Sequence, residues 1–480
     1  MRKRFLILTL LVLLISLSVQ AKVTLPALLT NNAVLQQKSN LLLWGEATGS
    51  VVVIRPSWTD KEYKTEVRRD KSWSIEVETP NASNKSYSIS FNDGETTIID
   101  NILIGEVWFC SGQSNMKVPV KGNPSQPILG SADAIYGAKK SIPLRLYTVD
   151  ETYAFTPQEE SNGKWEEYTP ESVANFGATP FFFGRYLQKV LDIPVAIINC
   201  SWGGSKIEAW MPKELLESYK EYDFTALNKR EISALPQTDK TVLYNGMMHS
   251  MKNLCFKGML WYQGEANRSN YWEYPDLFSL FANMLRSHFN CGEFPIYYAQ
   301  IAPFGFGPED YGALMRESMS KIMNKVDKTG MITLSDIGEE KCIHPRYKEI
   351  TGKRFAYWAL GDSYGYKGVE YRAPEFRDMK TLSASKKQNL PNRVALRFNY
   401  ANMGLCLMEG TTSNNFEVAG EDGIFYPASF RLVSKTEYPI ELWSDKVPKI
   451  VAVRYGFQNY FKGDIFNNFG IPLSSFRTDN

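Results

Sequence analysis

The sequence predicts an α/β protein whose central parallel sheet lies between two β-rich ends, and three changes of rhythm along the chain carry that prediction. From about Val23 to Asn101, short apolar runs such as Leu41–Trp44, Ser50–Ile54 and Trp73–Val77 alternate with turn clusters such as Asn92-Asp93-Gly94. That is the pattern of an antiparallel β-sandwich. From about Ile102 to Leu360, strands alternate with helical patterns. Phe182, Phe183, Tyr186, Leu187 and Val190 share one helical face ahead of the strand Val195–Ile198, and a helix around Asp276 to His288 precedes Ile296–Ala299. Strand and helix in alternation give a parallel sheet covered by helices on both faces. After about Ser363 the chain returns to strands, among them Arg393–Phe398 and Ile450–Tyr455. The expected divisions are a leader over 1–21, an N-terminal β domain over 22–101, an α/β domain over 102–362 and a C-terminal β region over 363–480.

The first residues, Arg2-Lys3-Arg4, an apolar run from Phe5 to Val19 and then Gln20-Ala21, read as a secretory signal cleaved after Ala21. The apolar run is too short for a membrane span. An exported protein, periplasmic or extracellular, is the expectation. The 54 basic residues, three of them in the leader, balance 52 acidic ones, so there is no electrostatic footprint for nucleic acid or anionic membrane. A neutral or polymeric substrate fits better. At 480 residues the chain exceeds one ordinary core. The six cysteines, Cys110, Cys200, Cys255, Cys291, Cys342 and Cys406, have no short repeated spacing, and three histidines, His249, His288 and His344, fall short of a metal cluster. The aromatic content of 13% is assigned to large cores rather than to sugar-stacking surfaces.

In open parallel sheets ligands bind outside the carboxyl ends of the strands. Four expected strands deliver polar or glycine residues to that edge: Ser114 after Val107–Cys110, Gly203-Gly204 after Val195–Cys200, Gln263-Gly264-Glu265 after Met259–Tyr262, and Asp336 after Met331–Leu334. Ser114 sits in the turn Gly112-Gln-Ser-Asn115, which presents a hydroxyl at a strand end. A serine in such a turn is by itself more often a helix cap. The convergence of the other strand ends favours a nucleophile. A serine hydrolase further needs a base and oxyanion donors. His344, in Cys342-Ile-His-Pro345 at the mouth of a helix, is the expected base; His288, within an amphipathic helix, reads as structural, and His249 is intermediate, a structural residue ahead of a loop or substrate contact. The N–H groups of Ser114 and Gly204, with a side-chain amide from Gln263 or Asn267, are the expected oxyanion donors.

Together, Gly112-Gln-Ser-Asn-Met116, Ser201-Trp-Gly-Gly-Ser205 with Ile207-Glu-Ala-Trp210, Trp261-Tyr-Gln-Gly-Glu-Ala-Asn267 and Ile343-His-Pro345 resemble the sialate O-acetylesterase family of the SGNH hydrolases. The likeness extends to Leu25–Leu28, Val34–Gln36, Tyr244–Met247, Phe425–Ala428 and Phe476–Asp479, nearly the whole mature chain. It implies a flavodoxin-like hydrolase domain and hydrolysis of O-acetyl esters on sugars, commonly sialic acids, with no metal or organic cofactor. One position departs from the family pattern. An aspartate usually stands two residues before the histidine, and here Cys342 does. Another acid then orients His344, with Glu265 and Asp336 ahead of the loop pair Glu339 and Glu340, or a Ser-His dyad suffices with a backbone carbonyl holding the ring. An esterase for acetylated plant glycans such as xylan has the same residue needs, and a catalytically impaired carbohydrate-binding relative is the rival reading raised by Cys342. A lipase-type hydrolase is disfavoured because its G-x-S-x-G elbow is absent.

Overall fold

One strand, β1 (Thr96–Gly112), changes environment along its length: burial alternates up to Asn101, then every residue from Ile102 to Gly112 is buried. Alternation belongs to a strand with one solvated face, continuous burial to the centre of a parallel sheet. The expected division at 101/102 therefore falls at this change, inside one unbroken strand. The structure, a computed structural model, describes residues 22–289, 291–387, 389–408 and 412–479. The leader expected over 1–21 lies outside them.

The first half of β1 pairs antiparallel with Ser83–Asn92, which pairs in turn with Val51–Pro56, and that strand pairs with Tyr63–Glu66. Asn40–Glu46 and Ser72–Glu78 form a separate antiparallel ribbon. The second half of β1 is the centre of the α/β sheet, with β2 (Leu144–Val149), β3 (Gly163–Glu167), β4 (Val195–Ser201), β5 (Gly258–Tyr262), β6 (Ile296–Ala299) and β7 (Thr329–Ile332) in the order β7-β6-β5-β1-β4-β2-β3. All neighbours are parallel except β2 and β3. Setting aside that edge hairpin, the succession β4-β1-β5-β6-β7 is the flavodoxin-like 2-1-3-4-5. Its topological switch point lies between β1 and β5, where a ligand crevice is expected.

The period of two decides which helices cover which face. Val107, Phe109, Met259, Trp261, Ile296 and Tyr298 point to one side and pack with helix α3 (Tyr274–His288) through Phe278, Phe281 and Leu285. Trp108, Cys110, Leu260, Tyr262 and Tyr297 point to the other and pack with α2 (Ala178–Leu191) and α5 (Lys348–Trp358). Two further helices matter for the site: α1 (Ser114–Lys117) after β1, and α4 (Tyr311–Ser320) after β6. The expected parallel sheet with helices on both faces is what the chain forms.

The two β-rich ends join this body differently. Leu43, Val52, Ile54, Trp73 and Phe91 belong to the same buried cluster as Val107 and Phe109. In contrast, the C-terminal cluster, from Val394 to Leu473, is its own core between two four-stranded antiparallel sheets. The buried Arg316 of α4 links it to the α/β body, with its guanidinium donating to Ser475 Oγ at 3.2 Å and to the Asn459 carbonyl at 3.3 Å. Leaving those buried acceptors without their donor costs about 1–3 kcal/mol.

Candidate active site

β1 and β5 end side by side because Gly112 permits it. Its φ is +138°, and a Cβ there would lie 2.2 Å from the Tyr262 carbonyl oxygen, so any other residue clashes with backbone. Gln113 N then donates to Tyr262 O at 2.9 Å, and its side-chain oxygen accepts from Gly264 N and Ala266 N at 3.3 Å each. This locks the turn that makes Ser114 the first residue of α1. Ser114 is half-buried between buried neighbours. Its N–H is one of the orphan donors of a helix start.

After β4 the chain makes a turn in which Ser205 N donates to Trp202 O at 3.4 Å, with Gly204 at φ +76° in the third position. That conformation favours glycine. A Cβ on Gly203 would lie 3.5 Å from Ser114 Cβ, so the glycine pair runs alongside the nucleophile turn. Among the described residues, no acceptor meets the N–H of Ser114, Gly203 or Gly204. Three unpaired backbone donors gather here.

Gln263 and Asn267 do not join them. Gln263 Nε2 donates to Ser205 O at 3.0 Å and to Asn267 Oδ1 at 2.7 Å, while its oxygen accepts from Tyr274 Oη at 2.8 Å. Asn267 Nδ2 donates to Glu208 at 2.8 Å, and Asn267 Oδ1 also receives Ile207 N at 3.0 Å. Both residues are fully buried. The expectation of a side-chain oxyanion donor from either fails here, because their N–H groups are engaged in holding the β4 turn to the end of β5.

His344 lies in the loop before α5, and the acceptor at its Nδ1 is the Gln126 side-chain oxygen at 2.9 Å. None of the expected carboxylates takes that place. Asp336 is held bidentately by Arg354 at 2.7 Å on each oxygen, which staples the segment after β7 to α5. Glu339 is bound to Arg346, and Glu340 is exposed. Glu265 is buried and accepts from Asn115 Nδ2 at 2.7 Å. Cys342 does not reach the ring; its thiol donates to the His344 carbonyl at 3.2 Å. Burial, helped by the Lys348 charge, holds the His344 imidazole down to about pKa 4. The other histidines are engaged elsewhere: His249 by Tyr244 and Glu159, at 3.3 Å each, and His288 by Met248 O at 3.4 Å. The side-chain hydrogen bond of His344 runs to Gln126 and not to Ser114 Oγ.

What ties the two together is Asn115. Its Nδ2 donates to Glu265 and, at 3.1 Å, to the carbonyl of Ile343, the residue before His344; its Oδ1 accepts from Lys348 Nζ. The neighbour of the nucleophile is thus bonded to the neighbour of the base. Glu265 and Lys348 flank that amide as buried charges. Burial raises the Glu265 pKa above its ordinary value and lowers that of Lys348 to about 7. Three residues of this site were not singled out from sequence. Asn115 had a signal in its place beside Ser114, and Lys348 had one as a charge opening an otherwise buried helix face. Gln126, separated by 218 positions from His344, had none.

Comparison with known proteins identifies the family. The model of the sialic acid-specific acetylesterases, a carbohydrate esterase family, matches residues 104–356, more than half of the chain. The chain is 25% identical to rat sialate O-acetylesterase over 425 residues, covering 75% of this chain and 77% of that one. It is 26% identical to the human sialate O-acetylesterase over 332 residues, 62% and 60% of the two chains. Among solved structures, a carbohydrate acetylesterase from Xanthomonas citri aligns at TM-score 0.84 and 28% identity over 96% of this chain and 100% of that one. The chain therefore belongs to the sialic acid-specific acetylesterase family of carbohydrate esterases, hydrolases that act on acetyl groups of sugars.

Proposed function

We propose that the protein is an exported O-acetylesterase that removes acetyl groups from sugar hydroxyls, with O-acetylated sialic acids as the leading substrate, through a Ser114 acyl-enzyme. The observation that carries the reading is the Asn115 bridge, which fixes the turn of the hydroxyl against the loop of the imidazole. His344 Nε2 takes the proton of Ser114 Oγ as that oxygen attacks the acetyl carbonyl. The N–H groups of Ser114 and Gly204, with Gly203 beside them, receive the oxyanion, each donor contributing roughly 3 kcal/mol to lowering the barrier. The sugar oxygen leaves with the proton from His344, and water then releases acetate by the same steps in reverse. Side chains and backbone supply every step of this chemistry, so no cofactor is called for.

Export rests on the leader pattern of residues 1–21. Among the described residues no helix is long and apolar enough to cross a membrane. Acetate release from O-acetylated sialic acid, measured beside acetylated xylan with wild type and Ser114→Ala, tests the reading. Faster release from the sialic acid, lost in the variant, is expected. Preference for xylan moves the substrate to plant glycans, and activity retained in Ser114→Ala rejects the mechanism.

A further inference from the structure

An imidazole that acts as a base through Nε2 must carry its proton on Nδ1, and something must accept that proton's hydrogen bond. We propose that Gln126 is the positioning residue of the base, its neutral amide oxygen standing where a carboxylate is expected. This rests on the reading of Ser114 and His344 as nucleophile and base.

The contact is built into the fold. Gln126 closes a tight loop in which Gln126 N donates to Asn123 O at 2.9 Å and Asn123 N to Gln126 O at 3.1 Å. Gly122, at φ +79°, leaves no room for a side chain, since a Cβ would lie 2.6 Å from the Gln126 carbonyl oxygen, and Ser125 is held at φ +61°. Leu129 N then donates to Arg346 O at 3.1 Å, fastening this loop to the one that carries His344. Asn123 Nδ2 also faces Gln126 Oε1, at 3.5 Å.

The chemical consequence differs from that of a carboxylate. An amide orients the ring and selects its tautomer without stabilising the imidazolium by charge. The charged groups around the ring do not offset this: Lys348 on α5 opposes a second positive charge, Glu339 is paired with Arg346, and the Cys342 thiol faces the backbone. The base therefore stays unprotonated well below neutrality, and its acid limb lies far below the ordinary histidine range.

Two measurements test the proposal. The first needs no substrate: nitrogen NMR of the three histidines, with His344 assigned through His344→Gln. The wild type is expected to show His344 protonated on Nδ1, and Gln126→Ala to shift it toward the other tautomer, with His249 and His288 unchanged. An Nε2–H tautomer in wild type, or an unaltered His344 in Gln126→Ala, overturns the proposal. The second is the pH profile of kcat/KM on a chromogenic acetyl ester. Gln126→Ala is expected to lower kcat by roughly 100-fold with KM little changed, since a wrongly held ring mostly harms the chemical step. Gln126→Glu restores an acceptor and moves the acid limb up by about one unit or more. An acid limb unmoved in Gln126→Glu contradicts the role. Loss of the Ser114 reading would show as activity in Ser114→Ala, while the NMR result would stand by itself.

Discussion

The end of β5 and the mouth formed by Ser114, Gly203-Gly204 and His344 draw on the same motifs, yet they use their polar atoms in opposite ways. At the end of β5, Gln263, Asn267, Glu208 and Tyr274 form a closed buried network. At the mouth, a hydroxyl, an imidazole nitrogen and three backbone N–H groups have no partner among the described residues. The difference separates scaffolding from chemistry: a buried donor already satisfied cannot also receive an oxyanion without a cost, whereas an unpaired one is ready for charge that develops during reaction.

Substitutions break the comparison in a predictable order. His344→Ala should lower kcat on an acetyl ester by about 10³-fold or more while leaving thermal unfolding nearly unchanged, because the ring lies at the mouth. Lys348→Met should do the reverse in emphasis. Removing the Lys348 ammonium leaves the buried Asn115 Oδ1 without its donor, at a cost of about 1–3 kcal/mol, read as a lower denaturant midpoint for the α/β body. Gln263→Ala sharpens the contrast. As scaffold it should lose about 1–3 kcal/mol of stability while the correctly folded fraction keeps kcat within roughly tenfold. A drop in kcat of about 10²–10³ at unchanged stability would instead make Gln263 an oxyanion donor.

Stability also depends on pH. The folded His344 takes up its proton near pKa 4, below the ordinary 6.5 of the unfolded chain, and burial lowers His288 likewise to about 4. Between those values the unfolded state holds more protons, so stability rises with pH there. Both contributions are present above about pH 6.5 and are lost as pH falls toward 4. Denaturant midpoints of wild type and His288→Phe across pH 4–7 should differ in slope, the variant being flatter.

Much of this architecture is legible in the chain. The sheet and its helices follow from periodicity, and strand ends and spacing bring Ser114 and His344 forward as candidates. The change of rhythm near 101/102 is visible in the sequence, but not the fact that one strand runs through it. The roles of Gln263 and Asn267 are not legible, because sequence shows an amide at a strand end and hides the partners, Ser205, Tyr274 and Glu208, that occupy it. The acid expected behind His344 fails for the same reason: Asp336 precedes the histidine by eight positions yet faces Arg354. Gln126 lies in a loop whose position depends on two left-handed residues and a cross-loop backbone bond, none of which leaves a local pattern.

Formation of an acyl-enzyme on Ser114 is tested by covalent trapping with a fluorophosphonate, followed by peptide mass spectrometry of wild type and Ser114→Ala. One stoichiometric adduct on the peptide carrying Ser114, parallel loss of acetylesterase activity, and no adduct in the variant are expected. An adduct on another residue, or full activity after Ser114 is labelled, would contradict it.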